Sequence, residues 1–81
     1  MIVVYVIQSE TTLKKLYVGQ TQNMVRRLSE HNHGRSKYTQ TWSPWKVIYT
    51  EIFADRPAAR IREKYLKSTA GKNYLRKIKV I

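Results

Sequence analysis

The most constraining stretch lies at the start of the chain. Ile2-Val3-Val4-Tyr5-Val6-Ile7-Gln8 is an unbroken β-branched and aromatic run. It lacks the polar–apolar alternation of a half-exposed strand, so it suits a strand covered on both faces, the middle strand of a small sheet. With 81 residues the chain reads as one domain over 1–81, and its core is modest. It contains no cysteine, so neither disulfides nor thiolate–zinc sites brace it. An economical layout follows: a few strands with helices packed on them.

Residues 9–15 are polar and read as a loop, and Leu16 to Gln20 as a second strand pairing antiparallel with the first through a long hairpin. Asn23, with Thr21 as competitor, is placed to cap a helix from Met24 to Asn32, and Gly34 to end it. Met24, Val25 and Leu28 form the apolar stripe of this helix; Arg27 and His31, four apart, lie along its edge, with Arg26 and Glu30 further out. Trp45 to Phe53 is the third strand, with Trp45, Val47, Tyr49, Glu51 and Phe53 on one face by simple alternation. Asp55 caps a helix from about Pro57 to Ser68. Ala58, Ala59, Ile61, Tyr65 and Leu66 make its buried arc; Arg62 falls inside that arc and needs a partner, and Glu63 sits at its boundary. Gly71 closes this region, and 73–81 is a basic amphipathic tail.

Sixteen Lys and Arg against five Asp and Glu leave a formal charge of +11 on a small surface. Such a field attracts polyanions, with nucleic acid the commonest partner. No segment approaches the ~20 apolar residues of a membrane span. The opening run is too short for a signal peptide, so the expected location is cytoplasmic.

Phosphodiester hydrolysis needs a group that aligns or deprotonates water, positive charge for the phosphoryl oxygens, and commonly a divalent metal. Five acids do not readily build a multi-carboxylate site, so one carboxylate plus water and phosphate oxygens must suffice. Glu63, amid Arg60, Arg62, Lys64 and Lys67, is the best candidate; the same acid can simply pair with Lys67 at i,i+4. Tyr5 and Tyr17 are either packing residues or phenols activated by nearby cations. Gly19 weakens a strand unless close approach is needed there. The Arg27 guanidinium suits phosphate, whereas Arg26 points to solvent. His31 is a helix-surface histidine or a neutral base. Arg35, Lys37, Tyr38 and Trp42 interleave cations with aromatics in a polar loop, fit either for phosphate contact and base stacking or for packing Trp42 on the sheet.

Val3-Val4-Tyr5, then Tyr17-Val18-Gly19, Arg27 ten after Tyr17, His31 four later and a glutamate on a following helix resemble the GIY-YIG nuclease domain over nearly the whole chain. Gly34-Arg35-Ser36-Lys37-Tyr38-Thr39, Pro44-Trp45-Lys46 and 62–67 resemble its small stand-alone members. Val3 and Val4 replace the glycine and isoleucine of the first motif. The resemblance implies a three-stranded antiparallel sheet flanked by helices, an α+β fold, and Mg²⁺- or Mn²⁺-dependent DNA endonuclease activity of the kind used in repair or recombination. It implies that Tyr5 and Tyr17 bind and activate the attacking water, and that Gly19 lets substrate or metal-bound water approach. Arg27 then stabilises the transition state, His31 assists proton transfer and Glu63 holds the metal. Arg26, Arg35, Lys37, Tyr38, Lys64 and Lys67 are the expected DNA contacts along a basic groove. The alternative is a catalytically weak or inactive nucleic-acid-binding module on the same fold.

Overall fold

The computed structural model describes residues 1–13, 15–34 and 37–81. Three strands, β1 (Ile2–Ser9), β2 (Leu16–Thr21) and β3 (Trp45–Phe53), form one antiparallel sheet in the order β2-β1-β3. The apolar opening run is thus the central strand. Three helices flank the sheet: α1 (Met24–Asn32), α2 (Arg56–Lys67) and α3 (Thr69–Lys77). A short 3₁₀ turn, Gln40–Trp42, leads into β3.

Strand alternation divides the core in two. Ile2, Val4, Val6 and Val18 point to the face covered by Ala59 and Leu66 of α2 and Leu75 of α3. Tyr5 and Ile7 point to the other face, where Met24 and Leu28 of α1, Trp42 and Trp45 cover them. The third strand does not keep one alternation. Val6 pairs with Tyr49 but Ile7 with Val47, so Ile48 is an extra residue in a bulge. The bulge sends Trp45 and Val47 to the α1 face, while Tyr49 and Phe53 stay on the α2–α3 face. This corrects the single-faced reading of β3, because one inserted residue reverses every side chain beyond it.

The caps behave as their residue types dictate. Asn23 Oδ1 accepts from Arg26 N at 3.0 Å, and Asp55 Oδ1 from Ala58 N at 3.0 Å. Gly34 follows the end of α1 with φ +73°, the left-handed conformation that glycine adopts without penalty. Ser68 ends α2 and caps α3, accepting from Gly71 N at 3.2 Å. Gly71 therefore lies inside α3 and does not close α2. A Cβ there would sit 2.1 Å from Tyr65 O and 2.5 Å from Leu66 Cα. Glycine lets the two helices meet backbone to backbone.

Both main helices turn a different face inward than hydrophobicity alone predicts. In α1, Val25 is 83% exposed while His31 is fully buried. In α2, Ile61 is 74% exposed, Ala58 and Tyr65 are also exposed, and the inward positions are Ala59, Arg62, Glu63 and Leu66. Arg62 has the partner it requires: its Nε reaches both Glu51 oxygens, at 3.1 and 3.0 Å. Tyr49 donates to the same carboxylate, and Arg62 stacks against Tyr65 and Tyr74. The pairing raises the Arg62 pKa despite desolvation, which lowers it.

Candidate functional site

Strand pairing sets the first contacts. Tyr5 of β1 lies opposite Gly19 of β2, and Tyr17 is two residues from Gly19 on the same face. A Cβ on Gly19 would meet Tyr5 Oη at 2.6 Å, Tyr5 Cζ at 2.8 Å and Tyr17 Cε1 at 3.0 Å. The missing side chain therefore makes room for the phenols themselves, whose ring centroids lie 6.3 Å apart.

The first turns of α1 bring the cation. Arg27 Nε donates to Tyr5 Oη at 3.2 Å, and Arg27 Nη1 donates to Glu30 Oε1 at 3.1 Å. Glu30 is thus half-buried beside Arg27 instead of pointing away. Desolvation works against the charge of Arg27, but its bonds to Tyr5 and Glu30, with a smaller contribution from Tyr17, raise its pKa.

One turn later His31 occupies the centre of the buried face, not its edge. Its Nε2 is 2.9 Å from Tyr5 Oη and its Nδ1 is 2.7 Å from Thr39 Oγ1. Burial, reinforced by the charge of Arg27 and opposed by Glu30, lowers the His31 pKa to about 4. The ring is neutral at pH 7 and carries one hydrogen. Tyr5 already accepts from Arg27, and its own hydrogen finds its acceptor in His31 Nε2. The ring hydrogen then sits on Nδ1 and is donated to Thr39. The result is a directed chain, Arg27 to Tyr5 to His31 to Thr39.

Burial is also the main cause that raises the Tyr5 pKa to about 12. The bond to Arg27 and its charge lower it, and the charges of Tyr17 and Glu63 raise it. Cations alone therefore do not make Tyr5 a strong acid; the phenol holds its proton and donates it to imidazole. Thr39 is the member that sequence reasoning missed. It lies in a polar loop without periodicity, and it is fixed there by Trp45 Nε1 donating to its carbonyl at 2.7 Å. A buried threonine in such a loop is visible only once the loop is folded back on the sheet.

Glu63 approaches from the other side. Its Oε1 accepts from Gln20 Nε2 at 3.1 Å and its Oε2 from Lys67 Nζ at 2.7 Å, and its side chain is 19% exposed. Gln20 is opposite Val4, on the α2–α3 face, and Arg56 Nη1 donates to its Oε1 at 3.1 Å. The acid thus sits by the edge strand β2, across the sheet from the phenols, yet its charge acts on Tyr5. The i,i+4 pairing with Lys67 is present as well.

The expected DNA contacts divide. Arg26, Lys37 and Lys64 are exposed, while Lys67 is engaged with Glu63. Tyr38 is 56% exposed, with its ring 5.7 Å from both Tyr17 and Trp42. Trp42 packs on the sheet, with Lys15 Nζ 4.7 Å from its ring centre. Arg35 lies outside the described residues. Among the described residues no three His, Asp or Glu side chains cluster as a metal site, and no helix is long and apolar enough to cross a membrane.

Comparison with known proteins agrees with this layout. The model of the GIY-YIG catalytic domain matches residues 1–78. A UPF0213 protein of Staphylococcus haemolyticus is 33% identical over 76 residues, 93% of this chain and 90% of its own. A UPF0213 protein of Clostridium perfringens is 40% identical over 55 residues, 67% of this chain; the match spans 59% of that relative's length. The solution NMR structure of a UPF0213 protein from Bacillus halodurans superposes with a TM-score of 0.56 at 28% identity, covering 98% of this chain and 86% of that one. The chain belongs to the GIY-YIG family, a nuclease superfamily, and is similar to its UPF0213 proteins.

Proposed function

We propose that this protein is a divalent-metal-dependent DNA endonuclease that hydrolyses phosphodiester bonds, acting in repair or recombination. The observation that carries the reading is the chain from the half-buried Arg27 through the buried Tyr5 to His31, with one shielded acid, Glu63, by the β2 edge on the other face of the sheet. A fold gains little stability from burying an imidazole and a guanidinium around a phenol. The same set is suited to moving a proton beside a phosphate.

Each residue has a role that its environment supports. Tyr17 is only half-buried and lies on the solvent side of the fully buried Tyr5, so it orients the attacking water. Beneath it, the buried Tyr5 hydroxyl is fixed by His31 Nε2 and in turn accepts from Arg27 Nε, which holds the guanidinium in place. Arg27, held by Glu30, offers the rest of its guanidinium to the phosphoryl oxygens. Gly19 keeps the space that the phenols require.

The donor set fits Mg²⁺ or Mn²⁺. Such ions accept a single hard carboxylate and complete their shell with water and phosphate oxygens. Glu63 would hold the ion, with Gln20 and Lys67 releasing its oxygens. An ion held there would supply Lewis-acid stabilisation of the departing oxygen. Mutation separates this reading from a purely binding module, which the Gln20 and Lys67 bonds to Glu63 favour. Supercoiled and branched DNA should be nicked with Mg²⁺ or Mn²⁺. Glu63→Gln and Arg27→Ala should each lower the rate at least a hundredfold while the far-UV CD spectrum is unchanged. Wild-type rates in both variants would show that these residues do not carry the cleavage, and salt-sensitive binding without any nicking would leave only the binding module.

A further inference from the structure

We propose that the exposed edge of β2 is a track for an unpaired DNA strand, with one unstacked base entering a cavity beside Tyr17 and Tyr38. This deepens the nuclease reading and rests on it, since it names the substrate class: DNA with unpaired nucleotides next to the scissile phosphate.

A cavity of about 270 Å³ wraps around this edge. Leu16, Val18, Leu66 and Leu75 form its apolar floor, and Tyr17 and Tyr38 its aromatic wall. Lys67 and Lys72 stand at its rim. A second cavity of about 340 Å³ continues from it, sharing Leu16 and Lys72 and adding Arg76 and Leu13. The two cavities adjoin at Leu16 and Lys72, the first lying along β2 and the second beyond its first residue. Three cations border them in sequence, Lys67, which is paired with Glu63, then Lys72 and Arg76, and no acid lines either part among the described residues. Lys72 has no ion pair among the described residues, and it lies one helical turn from Arg76 on the same side of α3.

Chemistry selects the occupant. A cationic groove with aromatic walls is the arrangement that binds single strands, phosphates on the cations and bases on the rings. The first cavity lies just below the about 300–1,000 Å³ range of drug-sized ligand sites, which suits a single ring system. A base stacked within a duplex cannot enter; an unpaired or extruded one can. Tyr17 belongs both to this wall and to the phenol pair, so a base stacked there places its adjoining phosphate next to the proposed catalytic groups.

Fluorescence anisotropy in EDTA tests the proposal without requiring cleavage. The probes are a fluorescein-labelled 20-nucleotide DNA, its perfectly paired duplex, and the duplex with a three-nucleotide bulge. The single strand and the bulge should bind at least fivefold tighter than the paired duplex. Tyr38→Ala should remove at least fivefold of single-strand affinity, Tyr38→Phe should retain it, and neither should change paired-duplex binding by more than twofold. Lys72→Ala, at an exposed position, should reduce the slope of log K against log salt by about 0.7 on the single strand. Equal affinity for all three probes, or equal losses on paired and unpaired DNA in both Tyr38→Ala and Lys72→Ala, overturns the track. Failure of the nuclease reading looks different: no nicking with metal, while the preference for unpaired probes and its loss in the variants persist.

Discussion

Replacing Gly19 with alanine tests the account of the phenol pair at its tightest point. The backbone of Gly19 is an ordinary strand conformation, so alanine adopts it without strain. At an open position the change would stabilise the fold by about 0.4–1 kcal/mol through the unfolded chain. Here the new methyl meets Tyr5 Oη at 2.6 Å and Cζ at 2.8 Å. Tyr5 is fully buried and bonded to both Arg27 and His31, so its ring cannot yield alone. Overpacking of this kind costs about 1–3 kcal/mol, and each hydrogen bond lost in escaping it about 1 kcal/mol more. Against the small gain, a net loss of about 1–3 kcal/mol remains, or a Tm lower by at least about 4 °C for a domain of this size. Urea melts of Gly19→Ala, Tyr5→Phe and the double variant measure it. Removing the Tyr5 hydroxyl takes away the nearest clashing atom, so the double variant should be more stable than the sum of the single losses predicts, by about 0.5 kcal/mol or more. An unchanged or higher Tm for Gly19→Ala, or strictly additive losses, would refute the claim that this glycine exists to seat Tyr5.

Three further consequences are measurable. Thr39→Val removes the acceptor for His31 Nδ1–H and should cost about 1–3 kcal/mol in urea melts; histidine ¹⁵N shifts should report a loosened tautomer preference, and wild-type shifts would show that the bond is absent. Because the folded His31 pKa is depressed to about 4 from 6.5, the unfolded chain binds the extra proton between those values. Stability from His31 is therefore complete above pH 6.5 and declines as pH falls towards 4, by on the order of 3 kcal/mol; the urea midpoint of His31→Gln should fall less steeply over that window than that of the native chain. Gly71→Ala drives a methyl to 2.1 Å from Tyr65 O, so α2 and α3 should separate at a cost of at least about 3 kcal/mol, read as a large loss in Tm.

The strands, their order and the helix caps were legible because each rests on a local rule. A two-faced apolar run becomes a central strand, and Asn23 and Asp55 start helices by accepting from the third amide onward. The bulge at Ile48 was not legible, because every residue around it favours a strand and only pairing with β1 exposes the extra position. Gly71 was misread for a similar reason: glycine ends helices commonly, and only the packed partner shows that it permits a helix contact instead. Of the candidate site, Tyr5, Tyr17, Arg27 and His31 came together as spacing suggested, but the closure of the chain through Thr39 depended on a loop fold that no period encodes.

The two helices depart from their apolar patterns in the same way. The inward positions of α1 are Met24, Arg27, Leu28 and His31, and those of α2 are Ala59, Arg62, Glu63 and Leu66. Both follow i, i+3, i+4, i+7, and in both two of the four are polar. Val25 and Ile61, which would serve as core, face solvent at 83% and 74% exposure. A sequence selected for stability alone would rotate each helix to bury those side chains and release the charges. The fold instead turns these polar side chains inward, three half-buried charges and one buried neutral imidazole, and gives each a partner: Tyr5 and Glu30 for Arg27, Tyr5 and Thr39 for His31, Glu51 for Arg62, Gln20 and Lys67 for Glu63. Buried polar groups so completely paired contribute little net stability over apolar ones, but they fix geometry. That exchange of apolar core for a defined polar constellation is made once on each face of the same sheet, so both faces owe their geometry to paired polar groups more than to apolar packing.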